Sequence, residues 1–139
     1  MGHTNYLHNK EVISGNDFAR ISEFSREMFK HAKQNSTELC NGIGQGVPFI
    51  DNEFIIFNGS ESLDQDYETC EISKNDTGFI FCKTASMPYD KYVVAIYMYI
   101  ESLGYAQFDS DGMINSIIED ESTMQGFDIF NAIQKVIQQ

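Results

Sequence analysis

Apolar residues recur at helical spacing in three stretches of the chain and cluster into strand-like runs between them. From Asp17 to Lys33, Phe18, Ile21, Phe24, Met28 and Ala32 return every three or four residues, with Arg20, Glu23, Arg26, Glu27 and Lys30 between them. This spacing predicts an amphipathic helix. Ser14 or Asn16 stands where a short side-chain oxygen can accept from the unpaired amides of a first turn. A second helix is expected to begin at Pro88, because proline in a first turn forfeits no needed donor and presets the backbone angle. Val93, Ile96, Tyr97, Ile100 and Leu103 form its stripe, and Tyr92, Val94, Met98 and Tyr99 make it apolar nearly all round. It reads as the central helix, stopped by Gly104. Phe127, Phe130, Ile133 and Ile137 mark a third helix over roughly residues 127–137.

Three strands are expected between the first two helices, at residues 53–57, 67–72 and 78–83. The first and third are apolar at successive positions (Phe54, Ile55, Ile56, Phe57; Phe79, Ile80, Phe81, Cys82), the pattern of strands covered on both faces. The middle one alternates, with Cys70 and Ile72 inward and Thr69 and Glu71 outward. Residues 73–77 (Ser-Lys-Asn-Asp-Thr) tolerate tight reversal, so an antiparallel hairpin is predicted there. A short strand at 105–108 precedes the turn Asp109-Ser110-Asp111-Gly112, while Gly42, Gly44, Gly46 and Pro48 interrupt regular structure. The expected architecture is a single α+β domain over residues 1–139: an antiparallel sheet of three to four strands, a central apolar helix and two further helices. A length of 139 residues and 15.8 kDa fits one such domain.

Charge sharpens this picture. Nine basic residues against 21 acidic ones give a net charge of -12, a poor match for phosphate backbones, so nucleic acid is not an expected direct partner. Residues 1–50 sum to zero, and residues 51–139 carry the whole imbalance. One acidic face on one domain is the expectation. The longest apolar run, Tyr92 to Ile100, falls short of the roughly 20 residues that cross a bilayer, so no membrane role is expected. Residues 1–10 show no apolar signal region, and Cys40, Cys70 and Cys82 are odd in number and not closely spaced. A reducing, cytoplasmic setting follows as an expectation.

Several chemical motifs fail on their own terms. The glycines of residues 42–46 lack the strand before and helix after that make a phosphate loop. Asp109-x-Asp111 and Asp64-x-Asp66 place Ile114 and Thr69 where a calcium loop needs glycine. His3, His8 and His31 are scattered, without a zinc-ligand pair. No metal or cofactor is expected. Cys82, between Ile80 and Thr84 on one strand face, reads as buried rather than as a nucleophile. The junction of Lys83, Thr84, Tyr89 and Asp90 is more open: a strand end feeding a helix start gathers unpaired amides and a lysine, which suit a phosphate or small ligand. Against this, Ser86 capping the helix, Asp90 complementing its dipole and Lys83 pairing with Asp90 or Asp111 would leave no site.

Ile56-Phe57-Asn58-Gly59, Glu68-Thr69, Phe79-x-Phe81-Cys82-Lys83-Thr84-Ala85-x-x-Pro88-Tyr89-Asp90 and Ser110-Asp111-Gly112 follow one another in that order. They resemble the FNG, ETF, FCKTARKPYD and SDG blocks of a family of small uncharacterised bacteriophage and prophage proteins. Ser86-Met87 replaces the family's basic pair, and the tryptophan common after the last block is absent. The resemblance implies phage origin and an accessory character, and it supplies no mechanism.

The function expected first is therefore a non-catalytic accessory binding protein of phage type. It would present Asp109, Asp111, Glu119, Asp120, Glu121 and Asp128 to a basic surface on a host or phage protein, for example as an inhibitor of host defence or nucleic-acid-handling machinery. Two alternatives stand beside it. One is a small-ligand or phosphate-binding domain, or an enzyme built on such a site, at Lys83, Thr84, Tyr89 and Asp90. The other is a homo-oligomeric structural protein joined through a stripe of Tyr92, Tyr97, Met98 and Tyr99.

Overall fold

The computed structural model describes residues 3–138. The chain runs β1 (Thr4–Lys10), α1 (Gly15–Gln34), β2 (Leu39–Cys40), β3 (Phe49–Ile50), β4 (Phe54–Gly59), β5 (Cys70–Ser73) and β6 (Gly78–Lys83). It continues through α2 (Asp90–Ser102), β7 (Gln107–Ser110), β8 (Met113–Ile114), β9 (Ile117–Ile118) and α3 (Glu121–Ile137). All strand pairs are antiparallel, and the architecture is a single α+β domain.

Helices α1 and α3 pack around α2, whose residues 92–100 are all buried. α1 forms from the predicted stripe and is capped by Ser14, whose hydroxyl accepts from Asp17 N at 3.1 Å. Phe24 stacks on Tyr99 of α2 with ring centroids 4.4 Å apart, and Phe29 meets Phe57 of β4 edge-on at 5.8 Å. Each such side chain removed from water contributes about 1.5–3 kcal/mol. α3 approaches α2 at Gly126, where a Cβ would lie 2.5 Å from the Val94 side chain. Only glycine allows this backbone approach.

The strands divide between two sheets and a small hairpin. β1 is the middle strand of the first sheet, flanked by β6 and β7. The apolar pattern does not reveal β1, because the residues it turns inward are Asn5 and Leu7, so one buried position is polar. In the second sheet β4 pairs with β2, β3 and β5. β2 and β3 pair successive parts of β4 and act as one strand interrupted by the glycine-rich segment. The expected hairpin of residues 67–83 does not form: β5 joins β4 while β6 joins β1. Residues 74–77 instead carry the chain from one sheet to the other, and Gly78, at φ +93°, makes the turn.

Helix starts also differ from expectation. α2 begins two residues after Pro88, and Ser86 does not cap it. Ala85 and Ser86 are both left-handed (φ 52° and 57°), in a turn closed by Met87 N donating to Thr84 O. α3 begins six residues earlier than its apolar spacing shows, because Asp120 caps it and accepts from Thr123 N at 2.8 Å. The β8–β9 hairpin turns through Asn115 and Ser116, both at positive φ, a two-residue turn usually announced by glycine.

Candidate functional site

The first sheet places unlike chemistry on its two faces. Because residues alternate along a strand and pair across it, the register assigns each side chain. Cys82, Asn5 and Ser110 form one inward row, and Ile80, Leu7 and Phe108 the next. Phe81, Tyr6 and Asp109 form an outward row, continued by His8 and Gln107 on one side and by Thr4 and Lys83 on the other.

At the inner end lies a closed polar network centred on Asp90, which is fully buried in the first turn of α2. Its carboxylate accepts from Asn5 Nδ2 at 2.7 Å, from Thr84 Oγ1 at 2.5 Å and from the Ser122 hydroxyl of α3. His3 bridges two carboxylates, with Nε2 3.6 Å from Asp90 and Nδ1 3.5 Å from Asp120. The Ser110 hydroxyl donates to Asn5 Oδ1 at 2.7 Å, lies 3.3 Å from His3 Nε2 and accepts from Gly112 N at 3.1 Å. Ser, His and Asp thus stand in sequence, yet Ser110 is 3% exposed and already donates its proton to Asn5. A buried hydroxyl spent on a neighbouring side chain holds the fold together.

This packing corrects the expectation of an open pocket at Lys83, Thr84, Tyr89 and Asp90. Thr84, Tyr89 and Asp90 have no exposed surface, and the Tyr89 hydroxyl donates to Glu68 O at 2.6 Å and to Lys83 O at 3.3 Å. Burial holds the Tyr89 phenol far above its ordinary value. Lys83 is exposed on the outer face and pairs with neither Asp90 nor Asp111. Asp111 instead accepts from Thr4 N at 3.0 Å and from the Tyr6 hydroxyl at 2.8 Å. The proposed stripe on α2 is corrected likewise, since Tyr92, Tyr97, Met98 and Tyr99 are all buried. Cys40, Cys70 and Cys82 are free and buried, and burial pushes the Cys70 thiol well up.

The sequence blocks noted above join one another. Asn58 donates to Gly42 O and Tyr67 O and accepts from Tyr67 N, while Glu68 accepts from Lys83 N at 2.9 Å. A side chain at Gly112 would collide with Thr123 and Asp120 of the α3 cap. These residues pin the two sheets and α3 to each other.

Of the six acidic residues expected to meet a partner, the structure gathers five. Asp109 lies near the end of β7 and Asp111 just beyond it, and Glu119 N donates to Gly112 O, which brings Glu119, Asp120 and Glu121 beside them. Asp128 lies two turns along α3, beside a shallow recess lined by His31, Lys91 and Tyr92. Burial, and then the Lys91 charge, hold the His31 imidazole below its usual value. Asp111, Asp120 and, through Ser110 N, Asp109 are partly spent on the fold, while Asp109, Glu119 and Glu121 remain exposed. Among the described residues no lysine or arginine pairs with any of the five. Arg20 and Lys30 pair with Asp17 and Glu27 of their own helix, and Asp109 has His8 3.9 Å away and accepts from Ser110 N at 2.8 Å.

Sequence reasoning missed the outer face of β1 and β6. Phe79 and Phe81, expected under a second layer, are 54% and 48% exposed. With Tyr6 and His8 they make a continuous array: Tyr6 to Phe79 5.8 Å, His8 to Phe79 5.2 Å and Phe79 to Phe81 5.6 Å between centroids. Partial burial, and then the Asp111 carboxylate that takes its hydroxyl, hold the Tyr6 phenol above its ordinary value. The signal that existed was the pair of phenylalanines at alternate positions, identical in pattern to a core strand. A separate open cavity of about 670 Å³, lined by Phe29, Lys33, Leu39, Val47, Pro48 and Leu63, contains none of the expected residues. No helix is long and apolar enough to cross a membrane among the described residues. No family model, curated protein or solved structure matches the chain.

Proposed function

We propose that this chain is a non-catalytic accessory binding protein that offers an acidic surface to a basic surface on another protein. The carrying observation is the gathering of Asp109, Asp111, Glu119, Asp120 and Glu121 at one end of the domain with no lysine or arginine paired to them among the described residues. A surface of one sign raises the rate of encounter with a complementary one and can occupy a groove that otherwise holds nucleic acid. The resemblance of the FNG, FCKTA and SDG blocks to phage proteins supports a phage origin, with the host cytoplasm as the place of action. Inhibition of a host defence or nucleic-acid-handling protein is the form this reading takes.

The test compares the native chain with a triple variant, Asp109→Asn, Glu119→Gln and Glu121→Gln, which leaves the fold-bonded Asp111 and Asp120 intact. Both are immobilised and exposed to host lysate at low and at high salt. The native chain is expected to retain a basic protein at low salt, release it at high salt and lose it in the triple variant. A partner retained equally by the variant, or undiminished by salt, contradicts the electrostatic reading.

A further inference from the structure

We infer that the aromatic face of the first sheet is the specific contact within this acidic surface, and that it receives arginine side chains of the partner. The inference rests on the acidic-surface reading and adds its residue-level recognition. Phe79, Phe81, Tyr6 and His8 form a bare platform of rings, and Asp109 stands in the same outward row as Phe81 and Tyr6. Four clustered rings on an open sheet face are an apolar surface of the kind that marks an interaction site. The carboxylate at its margin decides what it accepts. A guanidinium is planar, weakly hydrated and charged, so it stacks on a ring face while its edge donates two parallel bonds to a carboxylate. Asp109 keeps acceptor capacity for this: its side chain is 55% exposed, His8 is its only ion partner among the described residues, and Oδ1, which takes Ser110 N at 2.8 Å, retains a second lone pair. A lysine ammonium gains less here, because it keeps its water more tightly and has no planar face to stack.

Charge argues against the other occupants of such a platform. Nucleobases also stack on exposed rings, yet a strand laid here would bring its phosphates against Asp109 and Asp111 with Lys83 the one lysine in the outward rows. A second copy would bring together two chains of net charge -12.

The test is calorimetric titration of the folded chain with octa-arginine and octa-lysine peptides at low salt, which carry equal charge. Octa-arginine is expected to bind roughly fivefold tighter. The double variant Phe79→Leu and Phe81→Leu keeps apolar bulk and removes two rings; it is expected to abolish that preference and leave octa-lysine affinity unchanged, with its circular dichroism and thermal unfolding matching the native chain. Asp109→Asn changes no apolar contact and is expected to weaken octa-arginine more than octa-lysine. Equal affinity of the two peptides for the native chain overturns this inference and leaves the acidic-surface reading standing. Failure of both peptides to bind overturns the two together. Tighter binding of a thymidine oligonucleotide than of octa-arginine, or self-association lost in the leucine double variant, assigns the platform to another occupant and also overturns the inference.

Discussion

Strands β1 and β6 present two faces whose roles are the reverse of what their residue types announce. The inner end carries His, Asp, Ser, Thr and Asn, the side chains of catalytic sites, and it is closed: Asp90, Asn5 and Thr84 have no exposed surface and satisfy one another. The outer face carries Phe79, Phe81 and Tyr6, the side chains of cores, and it is open. Residue chemistry alone therefore assigns both faces wrongly, and exposure decides. A buried polar group in low dielectric contributes by being paired, whereas an exposed ring contributes nothing to the fold that solvent does not partly cancel.

That contrast can be broken by mutation. Asp90→Ala removes one carboxylate and strands three donors, from Asn5, Thr84 and Ser122. A loss of about 3–4 kcal/mol is expected in urea unfolding; a loss below about 1 kcal/mol would mean that water already serves these groups. Ser110→Ala leaves Asn5 Oδ1 and Gly112 N without this partner and is expected to cost about 1–2 kcal/mol. Phe81→Leu, on the outer face of the same sheet, is expected to stay within about 0.5 kcal/mol of the native chain. A cost equal to that of Ser110→Ala would erase the distinction between the faces.

The smallest effect concerns Tyr6, whose phenol is held above its ordinary value of 10.0. A raised folded value favours the protonated form, so this contribution is whole below pH 10.0 and is lost as pH rises through the folded value. Asp111→Asn is expected to lower the Tyr6 midpoint in an NMR titration of its ring signals, only in part, because burial is the larger cause. An unmoved midpoint would show that the Asp111 bond is not made in solution.

Much of the fold could be read from spacing, and the reasons for the gaps are specific. α1 and the buried α2 follow from apolar stripes, which report burial directly. β1 escaped because Asn5 occupies an inward position, supported by a network assembled from residues as distant as 110. The start of α3 escaped because Ser122 and Thr123 serve the Asp90 network and the cap rather than an apolar stripe. The gathering of carboxylates near Asp109 was legible as a charge imbalance. The aromatic platform was not, since a run such as Phe79-Ile80-Phe81-Cys82 looks the same whether one side is covered or bare. Only the pairing of β6 with β1, and the packing of α2 against the inner side of β1 and β7, exposes the difference.

Hydroxyl-radical footprinting of the chain, free and with octa-arginine, tests the working-face assignment most directly. In the free chain Tyr6, Phe79 and Phe81 are expected to oxidise readily while Tyr89 and Tyr97 stay protected. Added peptide is expected to shield the three platform rings and leave the exposed Tyr67 and Phe127 unchanged. Shielding spread equally over Tyr67 and Phe127, or a platform already protected in the free chain, would contradict it.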